Sequence, residues 1–139
     1  MPLGTGGALW NAVDFLEPEF LLLWGDDFHP INYAKLVNQH REDGNLMTMT
    51  VTEAHESMNL LHANNRVIKY NKHTENSEFN GYEAGTSVVS KRIVLLFGRD
   101  GKWSWEETVY PKLSGKIGAH IANTKFWDMG TPDRLSKLR

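Results

Sequence analysis

Cysteine does not occur among the 139 residues, which excludes disulfides, thiolate metal centres and cysteine nucleophiles. An excess of one charge is also missing. Fifteen Lys and Arg stand against seventeen Asp and Glu, a formal net charge of −2, so no field draws the chain to nucleic acid or to an anionic membrane, and neither is an expected partner. No apolar run approaches the roughly 20 residues that a helix needs to cross a bilayer, and the N-terminus lacks the basic and apolar regions of a signal peptide. A cytoplasmic protein is the expectation. What is present is 40% hydrophobic and 23% charged, with phenylalanine, tyrosine and tryptophan all represented, the composition of an ordinary folded protein. The length suits one domain spanning residues 1–139.

Phe20-Leu21-Leu22-Leu23-Trp24 is an apolar run of strand length that stops at Gly25-Asp26-Asp27. A run without polar alternation predicts a strand buried on both faces, as in a parallel sheet. In open α/β sheets ligands bind outside the carboxyl ends of the strands, so two carboxylates after a glycine turn suit a divalent cation and, through it, a phosphate. Asp26 could equally cap that turn or the next helix.

Leu3-Gly4-Thr5-Gly6-Gly7 reads as a glycine-rich loop, with a short helix from Ala8 to Leu16 before Pro18 and the apolar strand at 19–24. Ile31, Ala34, Leu36 and Val37 fall at helical spacing, with Gly44 as the end of that helix. Leu46 to Val51 alternates apolar residues with threonine, which predicts a strand whose two faces differ in burial. Helices alternating with strands predict crossover units and a largely parallel sheet. Residues 58–62 and 66–70 flank Ala63-Asn64-Asn65 and read as a hairpin, because asparagine tolerates positive φ. Thr74 to Gly81 is a polar loop, Tyr82 to Val89 a strand with Gly85 at a close approach, Lys91 to Leu96 and Trp105 to Leu113 helices, and Lys116 to Ile121 a strand; a last helix starts at Thr131. The six histidines have no metal-ligand spacing and read as surface or loop residues.

Leu3-Gly4-Thr5-Gly6-Gly7-Ala8, Gly25-Asp26, Val67 to Lys72, Tyr82-Glu83-Ala84-Gly85, Ser104-Trp105-Glu106 and Phe126-Trp127-Asp128-Met129-Gly130-Thr131-Pro132 stand in the order and approximate spacing of the sugar-1-phosphate nucleotidylyltransferases. The chain resembles that family nearly end to end, and most closely its mannose- or heptose-1-phosphate guanylyltransferase branch. The aromatic-Asp-x-Gly-Thr-Pro ending is the most specific of these signals. The resemblance implies an α/β, Rossmann-like nucleotide-diphospho-sugar transferase fold, N-terminally truncated, with a mixed, mostly parallel sheet and flanking helices. It also implies a reaction in which a sugar-phosphate oxygen attacks the nucleotide α-phosphorus and pyrophosphate leaves, so that positioning and charge neutralisation provide most of the catalysis.

By the same resemblance Asp26 and Asp128 hold a magnesium ion, with Asp27 as an alternative ligand or a second, repulsive charge. Lys72 contacts the sugar phosphate, although the family's Glu-Lys-Pro motif is kept only at the lysine. Glu83 and Gly85 line the sugar pocket; asparagine is usual where Glu83 stands, so the sugar's identity does not carry over. Leu3 and Gly4 lie against the nucleotide base, the bland alternative being a flexible start to the chain. Ser104 and Glu106 read more simply as an N-cap and a first-turn acid.

The family's opening strand and its basic Gly-x-Gly-Thr-Arg loop, which wraps the triphosphate, have no counterpart in this sequence. Gly98-Arg99-Asp100-Gly101-Lys102 is a turn between elements and does not replace them. An apolar sheet edge is therefore expected to stay open unless a partner chain or a second copy covers it. Two functions remain in view: a nucleotidylyltransferase whose missing part comes from elsewhere, and a non-catalytic module that binds a sugar phosphate or nucleotide sugar; a truncated structural remnant with an empty pocket is a third possibility.

Overall fold

A computed structural model of the chain describes residues 2–24, 27–71, 76–124 and 127–128. In chain order the elements are α1 (Gly4–Asn11), a 3-10 turn (Val13–Phe15), β1 (Glu19–Leu23), β2 (Asp27–Phe28), α2 (Tyr33–Asp43), β3 (Met47–Thr52), β4 (Leu60–Ala63), β5 (Arg66–Tyr70), β6 (Tyr82–Ser90), α3 (Lys91–Phe97), α4 (Trp105–Lys112), β7 (Ile117–Ile121) and β8 (Trp127–Asp128). The helix expected from Thr131 lies outside the described residues.

Local signals set many of the boundaries. The Asn32 side chain accepts the Lys35 N–H at 3.1 Å to open α2, and Gly44 closes it at φ 67°, a left-handed stop that a side chain resists. Asn64 and Asn65 take φ of 54° and 61° in the two-residue turn that joins β4 to β5, the backbone hand that matches strand twist.

Six strands form one sheet in the order β1-β6-β3-β7-β5-β4, and β2 pairs with β8 in a separate ladder. The fold is α/β and mixed, but the expectation of a mostly parallel sheet is corrected: among the described strands only β3 and β7 pair in parallel. The helical crossover between β1 and β3 does give them a common direction, as alternating elements require. Antiparallel β6 then inserts between the two.

The reading of the two N-terminal strands is also reversed. The apolar run is not buried on both faces; β1 is an edge strand, with Leu21 and Leu23 exposed by 42% and 52%. The threonine-alternating strand β3 lies in the sheet's interior, buried at every position from Met47 to Thr52. Its methionines join Trp105, Val109, Ile93 and Leu9 in a core beneath α1, α3 and α4. Its threonines face α2 and are tolerated there because their hydroxyls are paired: Thr48 Oγ1 lies 2.8 Å from His40 Nδ1, and Thr50 donates to the Thr86 carbonyl. His40 and His29 are accordingly buried, not surface residues. Phe20 and Leu22 of β1 pack on the helix-covered core, whereas α2 packs against β3, β6 and β7 and leaves Leu21 and Leu23 uncovered.

The glycine-rich start is not a loop. It is the first turn of α1, and its glycines permit contact with residues 101–103. Trp103 donates its N–H to the Leu3 carbonyl at 3.0 Å and accepts from the Gly6 N–H at 2.9 Å, while a side chain on Gly6 would run into the Trp103 ring.

Candidate functional site

β1, β3 and β7 share a direction, so their carboxyl ends lie at one end of the sheet. There the chain leaves β1 through Trp24 and enters β2, whose register with β8 sets Asp27 directly opposite Asp128 and Phe28 opposite Trp127. Carboxylate oxygens are the donors that a hard ion such as magnesium takes, so the donor set fits that ion. Asp26, expected to be the partner of Asp128, lies outside the described residues, as does Lys72. Among the described residues no three or more His, Asp or Glu side chains gather into a metal-binding group.

The ladder is tied down on its far side. His29 Nε2 donates to the Thr124 carbonyl at 3.1 Å, and the Thr124 hydroxyl donates to the Pro30 carbonyl at 2.8 Å. Burial holds the His29 imidazole below its ordinary pKa, so at neutral pH it serves as a neutral donor.

On the near side stands Glu83, only 7% exposed at the start of β6. Its Oε1 accepts the Trp24 indole N–H at 2.9 Å and the Tyr110 hydroxyl at 2.8 Å, while its own N–H donates to the Asn59 side chain at 3.0 Å. Tyr110 is held well above its ordinary pKa by burial and then by the Glu83 carboxylate; Tyr70, edge-on to it at 4.8 Å, is raised by the same two causes. Both phenols therefore stay protonated donors. Gly85 takes φ 84° and its carbonyl accepts the Trp24 backbone N–H at 2.9 Å. It lies in a bulge, where two steps from Met49 to Val51 are matched by four from Ser87 to Glu83. The close approach expected at Gly85 is thus one of backbone to backbone.

The other expected residues lie elsewhere on the framework. Leu3 occupies the N-cap position of α1 and Gly4 opens that helix at φ 72°, both against Trp103. Ser104 caps α4 by accepting the Glu107 N–H at 3.3 Å and donates to Glu106 Oε2 at 3.0 Å, the structural reading of that pair. Trp24, Tyr110, Tyr70 and Asn59 were not singled out from the sequence; the one hint is that tryptophan and tyrosine carry a polar atom that needs a partner when buried. Further along the same end of the sheet, Glu53 and Asn123 join the ends of β3 and β7 by two reciprocal hydrogen bonds of 2.7 and 3.1 Å. His62 lies 3.2 Å from the Glu53 carboxylate, and His55 stacks on Tyr82 at 3.9 Å. An open groove of about 670 Å³ lined by Glu19, His40, Arg41, Lys91 and Arg92 lies at the opposite end of the sheet, away from these groups.

No family model matches the chain. The D-glycero-alpha-D-manno-heptose 1-phosphate guanylyltransferase of Campylobacter jejuni is 30% identical over 138 residues, which cover 95% of this chain and 60% of that protein. The chain is similar, in sequence and in fold, to sugar-1-phosphate nucleotidylyltransferases. HddC from Yersinia pseudotuberculosis superposes with a TM-score of 0.82 at 25% identity, over 99% of this chain and 61% of that one; its complex with GMP-PN gives 0.81. The inositol-1-phosphate CTP transferase from T. maritima shares the fold, with a TM-score of 0.77 at 19% identity. The chain thus spans about 60% of the length of the proteins it matches.

Proposed function

We propose that the chain is one nucleotidyltransferase-like domain over residues 1–139 that binds a sugar 1-phosphate or nucleotide sugar together with magnesium at the carboxyl end of its sheet. The observation that supports this reading is the β2–β8 ladder, whose register pairs the acidic residues Asp27 and Asp128 at the carboxyl end of the sheet. Asp26 and Asp128 are the proposed ligands, with Asp27 as the alternative, and Lys72 supplies a point charge to the sugar phosphate. Bound there, magnesium would neutralise phosphate charge. Leu3 and Gly4 are proposed to face the base, and Glu83 and Gly85 to border the sugar.

The relative's heptose 1-phosphate, with GTP or the GDP-sugar product, is the first ligand to test. Transfer joins the sugar-phosphate oxygen to the α-phosphorus, breaks the bond to the β-phosphate oxygen and releases pyrophosphate. That step also needs triphosphate-binding groups such as the basic glycine-rich loop, which these 139 residues do not contain. We therefore favour binding with little turnover by the chain alone. The open β1 edge supports the proposal that a second copy or another chain covers it. A cytoplasmic location belongs to the same reading.

Calorimetry with GDP-sugars and sugar 1-phosphates, with and without magnesium, tests the binding. The expected result is magnesium-dependent heat that Asp128→Asn and Asp26→Asn remove; absence of heat with every ligand overturns the reading. Pyrophosphate release from a panel of nucleoside triphosphates and sugar 1-phosphates separates enzyme from module. Turnover lost in both Asp variants would show that the chain is catalytic by itself.

A further inference from the structure

Trp24 is held at both of its donor groups by the start of β6. Its backbone N–H reaches the Gly85 carbonyl and its indole N–H reaches Glu83 Oε1, each at 2.9 Å. Trp24 is the last described residue before β2, so its two bonds anchor the chain three residues ahead of Asp27, where the ladder begins. The indole bond is the stronger constraint, because it is made to a buried carboxylate that Tyr110 steadies with a second bond and Asn59 orients through the backbone. A carboxylate oxygen that already accepts from two protein donors is poorly placed to serve first as a sugar ligand.

We propose that Glu83 is a positioning residue: by holding the Trp24 indole it fixes the β2–β8 ladder and with it the spacing of the acidic residues Asp27 and Asp128. This rests on the proposed magnesium site only for its functional consequence. The placement itself stands on the hydrogen bonds of Glu83, Trp24, Tyr110 and Asn59.

The test compares Glu83→Ala, Glu83→Gln, Trp24→Phe and the Ala/Phe double variant. Amide hydrogen exchange is read at residues 27–28 and 127–128, with β3 as the internal control. Glu83→Ala and Trp24→Phe are each expected to speed exchange in the ladder by about tenfold while β3 keeps its protection. The double variant is expected to add little to either single change, because both remove one bond. Glu83→Gln keeps an acceptor oxygen and is expected to retain most of the protection. Manganese affinity, followed by paramagnetic broadening of the indole resonances, is expected to fall about tenfold in the Ala and Phe variants and little in Gln. Unchanged ladder exchange in Glu83→Ala overturns the proposal, as does loss of protection spread evenly over β3. Wild-type protein that binds no manganese overturns the metal-site reading and leaves the exchange result to decide the clamp.

Discussion

Gly6→Ala should loosen the whole N-terminal half of the helical layer. An added methyl at Gly6 meets the six-membered ring of Trp103, and Trp103 is buried between α1 and the core, so the ring cannot swing out of the way. Helix α1 must then retreat, which stretches the bonds from the Gly6 N–H to the Trp103 carbonyl and from the Trp103 N–H to the Leu3 carbonyl, now 2.9 and 3.0 Å. Overpacking a tight contact costs about 1–3 kcal/mol, and weakening two hydrogen bonds costs about 1 kcal/mol more. The better helix propensity of alanine returns up to about 1 kcal/mol. The net loss is about 2 kcal/mol, which for a domain of this size lowers Tm by roughly 8 °C. Thermal melts by circular dichroism measure it, with Gly44→Ala as the comparison. Gly44 has φ 67° and nothing within 4 Å of an added Cβ, so that variant loses only the backbone preference of about 1 kcal/mol. A Gly6→Ala protein that melts no lower than Gly44→Ala refutes the close approach of α1 to Trp103.

Burial holds His29, His40 and His120 below the ordinary imidazole pKa, so as pH falls the unfolded chain takes up these protons first. Stability is fully present above about pH 6.5, declines below it, and levels off once the folded-state values are passed; urea midpoints that stay flat from pH 7 to 5 contradict this. Thr50→Val removes the hydroxyl that donates to the Thr86 carbonyl and strands a buried acceptor, at a cost of about 1–2 kcal/mol in denaturant unfolding; a neutral result means the bulge carbonyl finds another donor. Asn65→Gly suits φ 61° at the hairpin turn and is expected to raise stability by a few tenths of a kcal/mol, whereas Asn65→Val lowers it by about 1 kcal/mol or more; equal melting of the two argues against this turn.

The sequence carried its local punctuation faithfully. Asn32 and Gly44 bound α2, Asn64 and Asn65 turn the hairpin, and Ser104 caps α4, because each acts on backbone within four residues of itself. Burial was legible only where it could be read from periodicity alone. The run Phe20 to Leu23 looks doubly buried, yet its place at the sheet edge is decided by β6, about sixty residues on, inserting between β1 and β3. Met47 to Thr52 looks half-exposed, yet His40 and the Thr86 carbonyl supply the partners that let threonine enter the interior. The candidate site divides the same way. Residues whose types suit phosphate and magnesium stood out at once, but Trp24, Tyr110 and Asn59, which fix Glu83, are separated from it by 59, 27 and 24 positions and follow no spacing rule.

The β2–β8 ladder has two residues on each strand, far too few to persist by its own hydrogen bonds. Its position must therefore come from its attachments. On one side these are Trp24 on Glu83 and Gly85; on the other they are His29 on Thr124 and Thr124 on Pro30. All of them are hydrogen bonds to backbone carbonyls or to one buried carboxylate, and none is an exposed ion pair that salt would screen. Such an arrangement fixes the backbone course of the ladder through bonds made elsewhere in the fold, so that any ligand meeting it finds that backbone already in place.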